Sequence, residues 1–452
     1  MATYIDDVDD WDDFANGILV DPNNEYELTN DIGDSTNPVT TMYSGIFTGR
    51  FDGRNNKITV AITSNATNVG LFSQVQGGVI QNLIIDGQVT GGIYSQNVGG
   101  FVGQVGGGQF HNCTNLAEVT GNSPTSSVGG IIGKTVEIAE IFECTNNGTI
   151  TGGRYVAGIA GSNNIGFIFF CRNAGTIKSN YGTQCMAGIV GFAGLGHTNI
   201  HGAVNIGKIL SSNSIYAGGI VARLENSNII ESFNSGIVEG AIDSVGGIVG
   251  IIRQYGVAVN NINTNWINGI APNSGAIVGY NDINGMVYNC YFDEQMSVLT
   301  VGIGNNPAAP STMVEGRPTS GMIGPPATGG LPFANPNTPP QLYPILDGNP
   351  NPHPIALLAA APIYLQNNEK VDDVITPFYV SNWDSILPFL PPPPSPIPYE
   401  YQWTSLSNGT IISVPLRPLN NATINGSGQD VLEVQFFTVS NGYKKNVPIT
   451  VL

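Results

Sequence analysis

The sequence predicts an all-β chain: a right-handed parallel β-helix of about eight coils of ~30 residues, followed by a C-terminal antiparallel β-sandwich. Three observations predict it. The phrase Gly-Gly-Phe-Val-Gly at Gly99 to Gly103 returns in close variants. The second glycine of its opening pair, or the equivalent residue, falls at Gly70, Gly100, Gly130, Gly158, Gly188, Gly219 and Gly247, with Ala276 in an eighth copy; the gaps are 30, 30, 28, 30, 31, 28 and 29 residues. A second signature, Asn-x-Gly-x-Ile/Val, follows in the better-kept units, at Asn146 to Ile150, Asn173 to Ile177, Asn205 to Ile209 and Asn234 to Val238. Finally, 59 Gly and 29 Pro in 452 residues suit short strands joined by many turns and do not suit helices. A near-constant period means that each unit buries its apolar face only by stacking on its neighbours.

Residues 1–66 read as an N-terminal cap with the first strands of the β-helix. The run Asp6, Asp7, Asp9, Asp10, Asp12 and Asp13, with Trp11 and Phe14 interleaved, is a short helix or a solvated acidic turn that discourages end-to-end association. A linear acidic run lacks the looped spacing that gathers oxygens around calcium, so no metal is assigned to it. The stretches Tyr26 to Ile32 and Phe47 to Gly53 then precede an alternating strand, Lys57 to Ile62.

With "YELTNDI", "FTGRFDGRNNKI" and the recurring Gly-Gly-Ile/Leu-Val-Gly phrase in hand, the chain between about residues 25 and 347 resembles proteins built from the GLUG repeat. Each glycine phrase alone is weak; their periodic recurrence is specific. The resemblance implies a β-helical surface protein, of the kind found in bacterial adhesins and in surface or fibre proteins of large DNA viruses.

Residues 67–299 are the repeat array. Strands this short, with no helix-length segment between them, cannot form βαβ units, so each must pair in parallel with its copy one repeat later, about 4.8 Å along an axis. Equivalent residues then form ladders: Phe101, Ile131, Ile159, Ile189, Ile220, Ile248 and Ile277 in one interior row, and Val119, Ile150, Ile177, Ile209 and Val238 in another. Asn115, Asn146, Asn173, Asn205 and Asn234 are expected to form a corner ladder, bonding coil to coil and tolerating left-handed backbone. Cys113, Cys144 and Cys171 share a slot with Ala203 and Ser232, which marks a small inward position and not a disulfide framework.

Residues 300–352 form a Pro/Gly-rich C-terminal cap and linker, and the exit Leu342 to Leu346 also resembles that of GLUG arrays. Residues 353–452 have another texture. Tyr399 to Trp403, Ala422 to Ile424, Val431 to Val439 and Asn446 to Leu452 read as antiparallel strands with Asn441-Gly442 as a hairpin turn, in an immunoglobulin-like sandwich. The run Pro391 to Pro394 reads as a stiff loop, with an SH3-type ligand as the alternative.

Chemistry is sparse. A β-helix enzyme acting on polysaccharides needs acids converging from neighbouring coils, but Glu118 aligns with Thr149, Thr176 and Lys208, and Glu143 aligns with Phe170. Glu231 shares the slot of Glu143 three coils later, too far for an acid-base pair. His197 and His201 lie four apart in a register that opposes a helix, so they are not read as metal ligands. The sequons at Asn65, Asn112, Asn147, Asn408 and Asn421 are those expected by chance in an Asn/Thr-rich chain. The expectation is therefore no catalytic, cofactor-binding or metal-binding residue, and no cofactor.

The net charge of −18 excludes phosphate neutralisation as a mode of binding, and with it nucleic acid; 12 acidic against three basic side chains in the first 60 residues give −9, half of the total. No apolar run approaches the length of a membrane span. The opening Met-Ala-Thr-Tyr-Ile-Asp-Asp lacks signal-peptide character, which fits either synthesis without the standard export route or removal of a leader. The leading expectation is a non-catalytic structural or attachment protein at the surface of a virion, with a bacterial surface adhesin and a glycan-binding or polysaccharide-degrading β-helix as alternatives. Its expected partners are other copies of itself, other surface or capsid proteins, and host glycans.

Overall fold

The computed structural model describes residues 2–307 apart from 22, 23, 180, 181, 195, 212, 266, 269, 270 and 298. Beyond these it describes 313–318, 321–323, 326–328, 330–332 and 343, and the strands 363–365, 400–405, 411–413, 428–437 and 443–451. One lap shows the plan. The strands Tyr155–Ala157, Ala160–Asn163, Gly166–Phe169, Arg172–Asn173 and Ile177–Ser179 follow one another around the axis, and each pairs in parallel with its equivalent in the next lap. Eight laps contribute to an eight-stranded sheet running from Asn68–Val69 to Asn273–Gly275; partial laps extend the other two sheets, giving about nine turns.

The interior rows are in register. Phe101 donates its backbone N–H to the carbonyl of Ile131, which donates to Ile159, and the chain continues through Ile189, Ile220 and Ile248 to Ile277 at 2.9–3.2 Å. Val119, Ile150, Ile177, Ile209 and Val238 stack likewise, and every member of both rows is fully buried. Each such side chain contributes about 2 kcal/mol of apolar burial.

The asparagine row corrects the expectation. These residues face the interior, and none has a positive φ. Nδ2 of Asn115, Asn146, Asn173, Asn205 and Asn234 donates to Oδ1 of the next asparagine at 2.7–2.8 Å, ending at Asn263. The same Nδ2 donates to the carbonyl two residues on, at 3.0–3.1 Å. A buried amide is tolerated because its neighbours meet both donors and the acceptor. Left-handed backbone falls three residues earlier, at Asn112, Glu143, Phe170, Gly202, Glu231, Asn260 and Asn289, with φ between 49° and 64°.

Lap stacking and the ladder together explain the glycine phrase. A Cβ on Gly100 would run into the Gly130 carbonyl of the next lap and come within 2.9 Å of Asn115 Oδ1, and Gly130, Gly158, Gly188, Gly219 and Gly247 meet the next lap's carbonyl and the amides of Asn146, Asn173, Asn205, Asn234 and Asn263 in turn.

The acidic opening is helical. Helix α1 (Val8–Ala15) is N-capped by Asp7, whose carboxylate accepts from Asp10 N. It turns Trp11, Phe14 and Ala15 inward, leaving Asp9 and Asp13 exposed and Asp10 and Asp12 half-buried. Trp11 packs edge-on against Phe51 and Phe72, both at 5.8 Å, so the helix plugs the first end of the core.

At the other end the array's pairing continues through Cys290–Asp293 before helix α2 (Glu294–Ser297); Ile303–Asn305 and Val314–Arg317 then add further strands. Met322, Leu331 and Tyr343 lie along the flank, over an outward column formed by Val204, Phe233, Ile262 and Tyr291. Tyr343 donates its hydroxyl to Asp293 Oδ2 at 2.7 Å, while Asp293 Oδ1 accepts from Met296 N at the start of α2.

The C-terminal strands form one five-stranded sheet in the order Ile363–Leu365, Tyr443–Val451, Gly428–Phe437, Glu400–Ser405, Ile411–Ser413. Its first pair is parallel and the rest antiparallel, which corrects the all-antiparallel expectation. The second layer of a sandwich is not among the described residues; the strand at 422–424, the Asn441-Gly442 turn and Pro391 to Pro394 also lie outside them. Among the described residues no helix is long and apolar enough to cross a membrane.

Candidate functional site

On the outside of the solenoid, the eight-stranded sheet and its neighbour meet in a cleft. The apex admits only small residues: Gly99, Gly129, Ala157, Ala187, Gly218, Gly246 and Gly275 line one side, and Gly103, Gly133, Gly161, Gly191, Ala222, Gly250 and Gly279 the other. A Cβ on Gly103 would come within 2.8 Å of Asn68 on the facing strand. Two outward columns above the apex form the walls. One carries Asn97, Ser127, Tyr155, Cys185, Tyr216 and Ser244; the other carries Gln104, Lys134, Ser162, Phe192, Arg223 and Ile251.

Side-chain size decides where the cleft is open. Cys185, Ala187, Tyr216, Ala222 and Ile251 fill its later laps with a small cluster separate from the main core. In the earlier laps, Asn97, Ser127 and Ser162 leave a polar groove of about 540 Å³. The boundary is a pair of stacked rings, Tyr155 and Phe192, with centroids 5.3 Å apart and planes 24° apart.

Cations frame that boundary. The Arg154 guanidinium lies 4.8 Å from the Tyr155 ring centroid and donates from Nε to Gln184 Oε1, and Arg223 lies 5.2 Å from the Phe192 centroid. Arg223 is held by Glu225, whose Oε1 accepts from Nε at 2.7 Å; desolvation opposes the arginine's charge, but this bond and the carboxylate overcome it and raise its pKa. Burial lifts the Tyr155 phenol above its ordinary value. Lys134 and Arg154 have no carboxylate within ion-pair distance among the described residues. The groove therefore holds three cations against the single anion Glu225, in a chain with only 15 basic residues.

A second outward feature lies around the corner. His111, Phe142, Phe169 and His201 stack in one column, with Phe167 and Phe170 beside it and a shallow hollow of about 250 Å³. His201 donates from Nε2 to Glu231 Oε2 at 3.0 Å, and His197 donates from Nδ1 to the Asn226 carbonyl at 2.6 Å. Glu143 and Glu231 occupy one slot, separated by Phe170 and Gly202. No group of three His, Cys, Asp or Glu side chains that could hold a metal ion is found among the described residues. The five cysteines are free and buried; Cys185 sits in the outer cleft, where burial pushes its thiol well up.

The family model of the GLUG motif matches residues 94–120, a segment that runs from the Gly99 phrase to the strand before the next repeat. Its register is carried lap by lap through the rest of the array. The chain is a parallel β-helix that carries the GLUG motif. No curated protein sequence matches it. Among solved structures, a crystal structure from Bacteroides ovatus described as a "putative immunoglobulin A1 protease" is similar at a TM-score of 0.39 and 18% identity, covering 59% of this chain and 77% of the other.

In this GLUG-motif β-helix the cleft escapes the sequence reading because its walls vary where the repeat is otherwise constant. A signal existed. Lys134 and Arg223 both stand four residues after the second glycine, a slot taken elsewhere by Gln104, Ser162, Phe192 and Ile251, and Arg154 stands four before it.

Proposed function

We propose that this chain is a rigid, non-catalytic attachment rod that presents its outer cleft to glycans at an exterior surface, as a virion surface or fibre component. One observation carries the reading. The groove is built for recognition, with amides and hydroxyls of Gln96, Asn97, Ser127, Ser162 and Asn164 around the Tyr155–Phe192 ring pair. Sugars are bound by such combinations of planar hydrogen-bonding groups and aromatic faces. The one carboxylate in its lining, Glu225, is engaged by Arg223 and so is poorly placed for acid-base work. A ladder-registered solenoid of about 40 Å, by strand spacing alone, also suits a spacer that holds such a groove away from its anchor.

A polysaccharide panel scored for both retention and product release tests the first part; retention without new reducing ends is expected, and product release would make the protein an enzyme. Immunogold labelling tests the location. Label on intact particles or on the exterior of cells is expected, and label confined to soluble cytosol overturns the display role. A bacterial cell surface is the second setting, and labelling of cells without particles would select it.

A further inference from the structure

The charge of the cleft narrows its ligand beyond the glycan reading, on which this inference rests. The molecule carries −18 overall, yet Lys134 and Arg154 on adjoining laps and Arg223 two laps further on line one recess, where Glu225 offsets only one of them. A recess of one sign within an oppositely charged surface focuses field onto itself and repels polyanions elsewhere. The two uncompensated groups differ in kind. The Arg154 guanidinium lies 4.8 Å from the Tyr155 ring centroid with its Nε bonded to Gln184, leaving its two terminal nitrogens to grip an oxyanion, whereas Lys134 is a point charge two laps before the Phe192 slot on the opposite wall. Between them the walls carry neutral donors and acceptors suited to hydroxyls.

We infer that the groove binds an acidic polysaccharide lying along the solenoid axis, its carboxylate or sulfate groups paired with Arg154 and Lys134 and one sugar ring set against the Tyr155–Phe192 pair. The lap-to-lap rise of about 4.8 Å is comparable with the length of one pyranose unit, so successive sugars meet successive laps of the wall. Closure of the later laps by Tyr216 and Ile251 fixes where the bound segment ends.

The test uses the full chain against three immobilised polymers: polygalacturonate for carboxylate, heparin for sulfate and dextran as a neutral control. Retention on at least one acidic polymer, absent on dextran and weakened by raising salt from 50 to 500 mM, is expected. The double variant Lys134→Gln/Arg154→Gln should weaken that binding at least tenfold with an unchanged melting temperature. Ser162→Phe, which places in the groove the residue found one lap later, should abolish it. Preference between the two acidic polymers assigns the anion. Equal binding of dextran, lost in Ser162→Phe, overturns the acidic ligand while keeping the glycan-binding rod; no retention of any polymer overturns both. Wild-type affinity in the double variant also overturns the inference.

Discussion

The inside and the outside of the same strands obey different rules. Along the Tyr155–Ala157 strand and its copies, the inward slot holds Val98, Val128, Val156, Met186, Ala217 and Val245, all buried and mostly interchangeable. One residue earlier, the outward slot passes from Asn97 and Ser127 through Tyr155 to Cys185 and Tyr216, and with that change the cleft passes from open to filled. Sameness builds the scaffold, because a stacked lap offers each side chain its own kind as a neighbour. Departure from sameness builds the recess.

If that contrast holds, the largest penalty belongs to the interior row that leaves no alternative partner. Asn173→Ala strips the amide that Asn146, Asn205 and the Gly175 carbonyl all use, and about 3 to 5 kcal/mol should be lost in chemical denaturation. Ile159→Ala, in the fully buried aliphatic row, should cost about 3 kcal/mol by the same measurement, since the laps above and below hold the cavity open. At the left-handed corner, Asn112→Ala should cost about 1 kcal/mol, because φ there is 51° and its amide links Asn55 and Asn82. Smallest of all, Cys171→Ser should stay within about 1 kcal/mol of the parent, as Ser232 already occupies the equivalent slot with its hydroxyl on the Ile230 carbonyl. A Cys171→Ser loss as large as that of Asn173→Ala would erase the distinction between tolerant and strict interior rows.

The parts of the molecule readable from sequence follow the same divide. The rows through Ile159 and Ile177 were legible because identical residues recur at the lap length, and burial of one implies burial of all. The asparagine row was recognised but misplaced: turn propensity suggested left-handed corners, whereas its amides satisfy one another within the core. The true corner slot was hidden by Glu143, Phe170 and Glu231, residue types that do not announce a positive φ and are held there by the laps on either side. The acidic opening left helix and turn undecided until Trp11 and Phe14 were seen to share the face that seals the core. The cleft depends on two outward columns brought face to face by the corner between sheets, a relation that no spacing along the chain expresses.

The segment that returns along the flank has a consequence for how this rod can change length. Met322, Leu331 and Tyr343 are seated on Val204, Phe233, Ile262 and Tyr291, whereas the same column upstream carries Thr114, Thr145 and Arg172. Duplicating a whole unit before Val204 would leave that seat intact; duplicating one after it would carry Tyr343 and its partner Asp293 together one lap further from Val204, leaving the start of the apolar column uncovered. Growth and shrinkage by unequal recombination are thereby steered toward the N-terminal half, and the returning tail acts as a ruler for the other.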